Sequence, residues 1–206
     1  MVQGQSDFPV LSRSRKFSPE LLRILQRVDT ESARRTPATS GAQIELNEVT
    51  LQTLPEILER ALGRDHPEFA KALHRLAVLY HARDNLGKAE ILYRRALDTA
   101  ESAFNEPTLE LGLILNNLGR LLYDQKKFAE AEELYLRSLG VLQEALGPEH
   151  SKLATPLRNL ANLYWDQGKR EMAEKLFGDS IAFLEKALGP GHPKVIKARK
   201  KWPPPS

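Results

Sequence analysis

The residues with the widest chemical repertoire in this chain are its five histidines: His66, His74, His81, His150 and His192. Zinc needs several ligands converging at about 2 Å on one ion. The spacing argues against that use. His66, His150 and His192 recur 84 and 42 residues apart in similar short loops, and His74 and His81 stand seven residues apart on one helical stretch. The loop histidines are therefore expected to bond a neighbouring loop or helix end. His74 and His81 are expected to be groove or surface residues. The acidic pair Glu132-Glu133 reads as a solvated helix face, because adjacent helical residues point in different directions. The sequence carries no Gly-x-Ser-x-Gly, no glycine-rich phosphate loop and no His-Glu-x-x-His. Cysteine is absent altogether, which excludes disulfide scaffolds, thiolate metal sites and thiol nucleophiles. The expectation is a non-enzyme, with no catalytic residue, no metal ligand and no cofactor.

The elements that position side chains come from a globular composition. The 206 residues are 41% apolar, 28% charged and 7% aromatic. The net charge of +3 is too small to mark a nucleic-acid binder. It is also unevenly spread. Residues 194–206 carry five basic and no acidic residues, residues 1–40 carry seven basic against four acidic, and residues 61–193 are slightly acidic. No run approaches the roughly 18 apolar residues of a membrane span, so no integral membrane segment is expected. The N-terminal segment Met1 to Ser18 lacks a signal-peptide core and resembles a transit peptide only in Ser12, Arg13, Ser14 and Arg15. The expected location is the cytoplasm, with a mitochondrion or another organelle as the alternative.

Three segments align without gaps: Leu76-Ala77-Val78-Leu79-Tyr80, Leu118-Gly119-Arg120-Leu121-Leu122 and Leu160-Ala161-Asn162-Leu163-Tyr164, at offsets of 42 residues each. The register continues through Ala89, Ala131 and Ala173, through Tyr93, Tyr135 and Phe177, and through Ala96, Ser138 and Ser180. Each unit reads as two amphipathic helices. In the second unit Leu115, Leu118 and Leu122 form one stripe, and Ala131, Leu134, Tyr135, Ser138 and Leu142 form the next, separated by the polar turn Asp124 to Lys127. The small residues Ala77, Gly119 and Ala161 are placed where the first helix must approach the second closely, and Ala89, Ala131 and Ala173 answer them from the other side. Tyr80, Tyr93, Tyr135, Tyr164 and Phe177 occupy repeat-core positions, so they are not a base-stacking set and no nucleic acid is expected.

Small, small twelve residues later, aromatic four beyond and small three beyond: the pattern resembles the tetratricopeptide repeat (TPR). The usual unit is about 34 residues. Here the longer unit ends in Leu62-Gly63-Arg64-Asp65-His66-Pro67, Leu146-Gly147-Pro148-Glu149-His150-Ser151 and Leu188-Gly189-Pro190-Gly191-His192-Pro193. That signature, with Asn116-Asn117-Leu118-Gly119 and Asn159-Leu160-Ala161-Asn162, is similar to the kinesin light chain and nephrocystin-3 class. The glycines suit a left-handed helix end, and Pro67 and Pro193 suit a first helical turn. Asn105 stands in the glycine column of the first loop and is expected to serve as its left-handed substitute.

The resemblance implies an all-α helix-turn-helix solenoid, a right-handed superhelix with the first helix of each pair lining its concave side. Three full repeats are expected at about 70–111, 112–153 and 154–195, inside a domain spanning 44–202. A partial N-terminal repeat precedes them and a capping helix, 194–202, follows. Residues 1–43 are expected to hold a short amphipathic helix and a Ser/Thr/Pro linker, and 203–206 a Pro-rich tail. The concave columns then place Lys71, Arg75, Asn116, Asn117, Arg120, Arg158, Asn159 and Asn162 in a polar, basic groove, with His81, Tyr123 and Trp165 as an aromatic row and Asp124 and Asp166 as acidic members. Asparagine amides hold a peptide main chain without demanding its sequence, and Lys and Arg bind carboxylates. In the kinesin light chain class such residues hold cargo peptides that pair a tryptophan with acidic residues.

The expected function is thus a non-catalytic adaptor or scaffold that binds an extended, acidic peptide. The alternative is an assembly or stability factor for a larger, organellar or membrane-associated complex. It would act through the Phe17–Val28 helix and the basic Lys194–Lys201 end. Ser18-Pro19 and Thr36-Pro37 are candidate phosphate acceptors in the tail.

Overall fold

The structure, a computed structural model, describes residues 23–28, 30, 48–200, 202 and 203. Every regular element among them is a helix. They are α1 (Glu48–Leu62), α2 (Pro67–Ala82), α3 (Leu86–Ala103), α4 (Leu109–Asp124), α5 (Phe128–Leu146), a 3₁₀ turn (Ser151–Leu153), α6 (Ala154–Asp166), α7 (Arg170–Leu188) and α8 (Pro193–Lys200). Residues 23–28 are helical as well. The chain divides into two compact units, one ending at Asn105 and one beginning at Glu106.

The second helix of each pair is the long one: α3, α5 and α7 run 18, 19 and 19 residues. Within each pair the small columns are buried to the backbone. Ala77, Ala89, Ala131, Ala161 and Ala173 are fully buried. A Cβ added to Gly119 would lie 2.9 Å from Cε1 of Tyr135 and 3.3 Å from the carbonyl of Ala131. Glycine at that position lets the α4 backbone meet the tyrosine ring directly. Tyr93 and Tyr135 are themselves buried, and a side chain of that size contributes on the order of 2 kcal/mol on leaving water.

The turn inside each pair repeats at the level of single hydrogen bonds. Asn85, Lys127 and Lys169 donate their N–H to the carbonyls of Tyr80, Leu122 and Tyr164, at 2.9, 2.8 and 2.9 Å. Asp84, Lys126 and Gly168 precede them with φ of 60°, 65° and 76°. This is a Schellman ending, in which the left-handed residue lets the chain satisfy the last helical carbonyls. Only the third repeat uses the residue that adopts this conformation without a Cβ penalty.

The loops between pairs end differently. Gly147 and Gly189 combine φ of 92° and 85° with ψ of 157° and 151°. That region is open to glycine alone and lies beyond the left-handed helical well the sequence predicts. Asn105 corrects the expectation further, because it is not among the residues at positive φ. The first loop closes through Phe104 instead, in extended conformation (φ −102°, ψ 118°), with its N–H on the Ala100 carbonyl.

In the unit up to Asn105, α1 buries Leu51, Leu54 and Leu58. Arg95 of α3 donates to Glu59 of α1 at 2.5 Å and lies 5.2 Å over the ring of Phe69 in α2, which ties the three helices. Leu25 and Val28 of the 23–28 helix are buried too. Leu21, Leu22, the Ser18 and Thr36 sites and most of the expected linker lie outside the described residues. In the unit from Glu106, Leu142, Leu153 and Leu157 form a core backed by Leu139, Leu176 and Phe183. The C-terminal helix α8 turns Val195 and Ala198 onto Ile181. Trp202 then stacks on Phe177 at 4.3 Å and meets Trp165 edge-on at 5.2 Å. Trp202 stands in the column of Leu76, Leu118 and Leu160, so a bulky aromatic seals the position that a leucine fills elsewhere.

Candidate functional site

The loop histidines resolve first. Nδ1 of His66, His150 and His192 accepts the backbone N–H of Glu68, Lys152 and Lys194 at 3.1, 3.1 and 3.2 Å. Each is an N-cap for the element that follows, an imidazole Nδ1 taking the acceptor role that Ser or Asp usually fills. This is the helix-end role the spacing predicts. His74 departs from expectation. It is buried, with its ring 6.0 Å from that of Tyr93, and is not a groove or surface residue. His81 is half-buried and meets the same tyrosine edge-on at 6.2 Å. Glu132 also departs: its carboxylate accepts the hydroxyl of Tyr164 at 2.7 Å, so it links α5 to α6 and is not merely solvated.

In the unit from Glu106, α4 and α6 carry the polar columns. Leu115, Leu118, Leu121 and Leu122 of α4 are buried, as are Leu157, Leu160 and Leu163 of α6. Asn117, Arg158 and Asn162 remain half-buried and Arg120 is exposed. The expected outward orientation fails for two residues. Asn116 and Asn159 are buried, and Nδ2 of Asn159 donates to Oδ1 of Asn116 at 2.9 Å. Nδ2 of Asn116 in turn donates to Oδ1 of Asn117 at 3.2 Å. The three amides form a directed chain running from α6 into α4 and ending at the half-buried Asn117. A buried amide without such a partner would be costly, so the pair specifies how the two helices meet.

A second link lies near the helix ends. The hydroxyl of Tyr123 donates to Oδ2 of Asp166 at 2.5 Å. Burial first, then this bond to a carboxylate, pushes the Tyr123 phenol up to about 12. Arg120 pairs with Asp124 one turn on, Nε lying 3.0 and 3.1 Å from the two carboxylate oxygens, and its guanidinium sits 5.7 Å over the Tyr123 ring. Trp165 is half-buried, with the Arg170 guanidinium 3.8 Å over its ring. The face therefore presents amides, a guanidinium held by a carboxylate, and two aromatic rings. In the other unit, the equivalent columns of α2 hold Lys71, paired with the buried Glu68 at 2.7 Å, and the half-buried Arg75. The Glu68, Glu132, Asp124 and Asp166 contacts are the ones sequence reasoning passed over; the 42-residue register that aligns Asp124 with Asp166 was the signal available.

Repeated helix pairs with a polar face on the first helix of each define an α-solenoid interaction module. The chain matches the tetratricopeptide repeat family over residues 50–102 and 110–186, and it belongs to that family. No curated protein matches it by sequence. Among solved structures it is similar to BtubC (BKLC) from P. vanneervenii, at 22% identity and a TM-score of 0.59, over 75% of this chain and 68% of that one. It is also similar to a protein of Podosopora anserina described as a kinesin light chain with nearly identical TPR-like repeats, at 18% identity and a TM-score of 0.58, over 86% of this chain and 81% of that one. These likenesses establish the fold, a TPR solenoid. TPR repeats are generally protein–protein interaction modules, typically without catalysis, and their partners are proteins. Among the described residues no helix is long and apolar enough to cross a membrane.

Proposed function

We propose that this protein is a non-catalytic adaptor that holds an extended, acidic peptide segment of a protein partner against the first helices of its repeats. The observation that carries the reading is the α4–α6 face. Asn117, Arg120, Arg158 and Asn162 stand there on two helices fixed to each other by buried amides. Half-buried amides suit main-chain recognition, and guanidinium groups suit carboxylates. Asn116 and Asn159 serve in this reading as the support that sets the spacing of the exposed residues. In the other unit, Lys71 and Arg75 on α2 offer the same chemistry. The alternative, action through the two ends, has less behind it: Leu25, Val28, Val195 and Ala198 are all turned inward. Affinity purification followed by mass spectrometry tests the proposal. Partners captured by the native chain should be lost from Asn117→Ala and Arg120→Glu variants of unchanged helicity. Equal capture by all three removes the face from consideration.

A further inference from the structure

Asp124 and Asp166 are the last residues of α4 and α6 and stand in the same column of successive repeats. A carboxylate at a helix C-terminus meets the negative end of the macrodipole, where Lys or Arg is favoured. The pairing order is also the weaker one, with the base N-terminal to the acid at i,i+4. Neither aspartate is therefore placed to stabilise its own helix. Each instead occupies a donor of the candidate face: Asp124 accepts from the Arg120 Nε through its two carboxylate oxygens, and Asp166 accepts from the Tyr123 hydroxyl. The Arg120–Asp124 pair is accessible, with 49% and 29% of the two side chains exposed.

We infer that Asp124 is a specificity-determining residue that competes, from within the chain, with a partner's carboxylate for Arg120. The inference rests on the peptide-binding reading above. A neutral segment displacing Asp124 would leave the guanidinium without a counter-charge. An acidic segment replaces one carboxylate with another, and because the internal pair is exposed and placed against the helix dipole, the exchange costs little. A neutral segment therefore leaves the Arg120–Asp124 pair in place, and Asp124 moderates the affinity for acidic segments alone. Asp166 holds Tyr123, whose ring flanks the Arg120 guanidinium, so the cation is presented in one orientation.

The test is fluorescence anisotropy of the full chain with two labelled decapeptides, one of alternating Gly and Glu and one of alternating Gly and Gln, at low ionic strength. The native chain should prefer the Glu peptide. Asp124→Asn should bind the Glu peptide about two- to fivefold more tightly, as expected for removing one exposed competing charge, with no gain for the Gln peptide and no loss of thermal stability. Arg120→Gln should abolish the preference. If Arg120→Gln abolishes it but Asp124→Asn leaves the Glu peptide unchanged or weakened, the competition is wrong while the face stands. If no chain distinguishes Glu from Gln, the acidic-peptide reading fails and the inference with it.

Discussion

Tyr135 and Gly112 make the strongest residue-scale claims. The Tyr135 hydroxyl is buried and has no hydrogen-bond partner among the described residues. Phe177 fills the same column in the next repeat without a hydroxyl. Tyr135→Phe should therefore leave stability unchanged or raise it by about 1 kcal/mol, read as a shift in the urea midpoint. Burial pushes the phenols of Tyr93 and Tyr135 well above their ordinary 10, and Tyr123 to about 12. The folded state thus prefers the neutral phenol. Its contribution is complete below pH 10, where the unfolded tyrosines also keep their protons, and is lost as pH rises from 10 toward 12. The urea midpoint should hold below pH 10 and fall above it, and Tyr135→Phe should fall less steeply than the native chain. At Gly112 an added Cβ would meet Cγ and Cδ2 of the buried Leu142 at 2.5 Å. Gly112→Ala gains helix propensity but overpacks this contact, and the net cost should be about 1–2 kcal/mol. The first repeat pairs Ala70 with Ala100 at the equivalent columns. Adding Leu142→Ala should then cost less than the two single changes together, a coupling a double-mutant cycle reads directly.

At the scale of elements, the turn inside each pair carries the prediction. Lys126 is held at φ 65° by the Schellman bonds that Gly168 makes in the next repeat without strain. Lys126→Gly should stabilise the chain by roughly 0.5–1 kcal/mol, since an L-residue pays about 1–2 kcal/mol in the left-handed well and an entropy term of about 0.4–1 kcal/mol opposes it only in part. A fall in the thermal midpoint would show that the Lys126 side chain, 5.9 Å over the Tyr123 ring and 5.8 Å over that of Phe128, holds the turn more firmly than its backbone strains it. Much of this scale was legible in the sequence. The 42-residue register located every helix pair from Pro67 to Leu188, the small columns located the close approaches, and the repeated Leu-Gly-x-x-His located the capped loops. The left-handed residue was not legible, because Asp84, Lys126 and Gly168 share a conformation and no side-chain chemistry. Asn105 misled for the converse reason: its type permits a left-handed cap, but an extended Phe104 ends the helix first.

For the whole molecule, the fold was far more legible than the site. Periodicity reports which side chains are apolar, and that determines which faces pack. It does not report whether a polar side chain is turned to solvent or to a neighbouring helix. Asn116 and Asn117 are adjacent and chemically identical, yet one is buried against Asn159 and the other remains half-open. His74 shares the Asn116 column and is buried too, against Tyr93, while Arg158 of the same column stays half-buried. The residues that stay open, Asn117, Arg120, Arg158 and Asn162, are the ones on which the adaptor reading stands.

That reading is tested most directly by selecting a random peptide library on the full chain and counter-screening the enriched peptides against Arg120→Glu. The account predicts enrichment of segments rich in Asp and Glu that bind the native chain and lose most of their affinity for the variant. Enriched peptides that are neutral or basic, or that bind both chains equally, would contradict it.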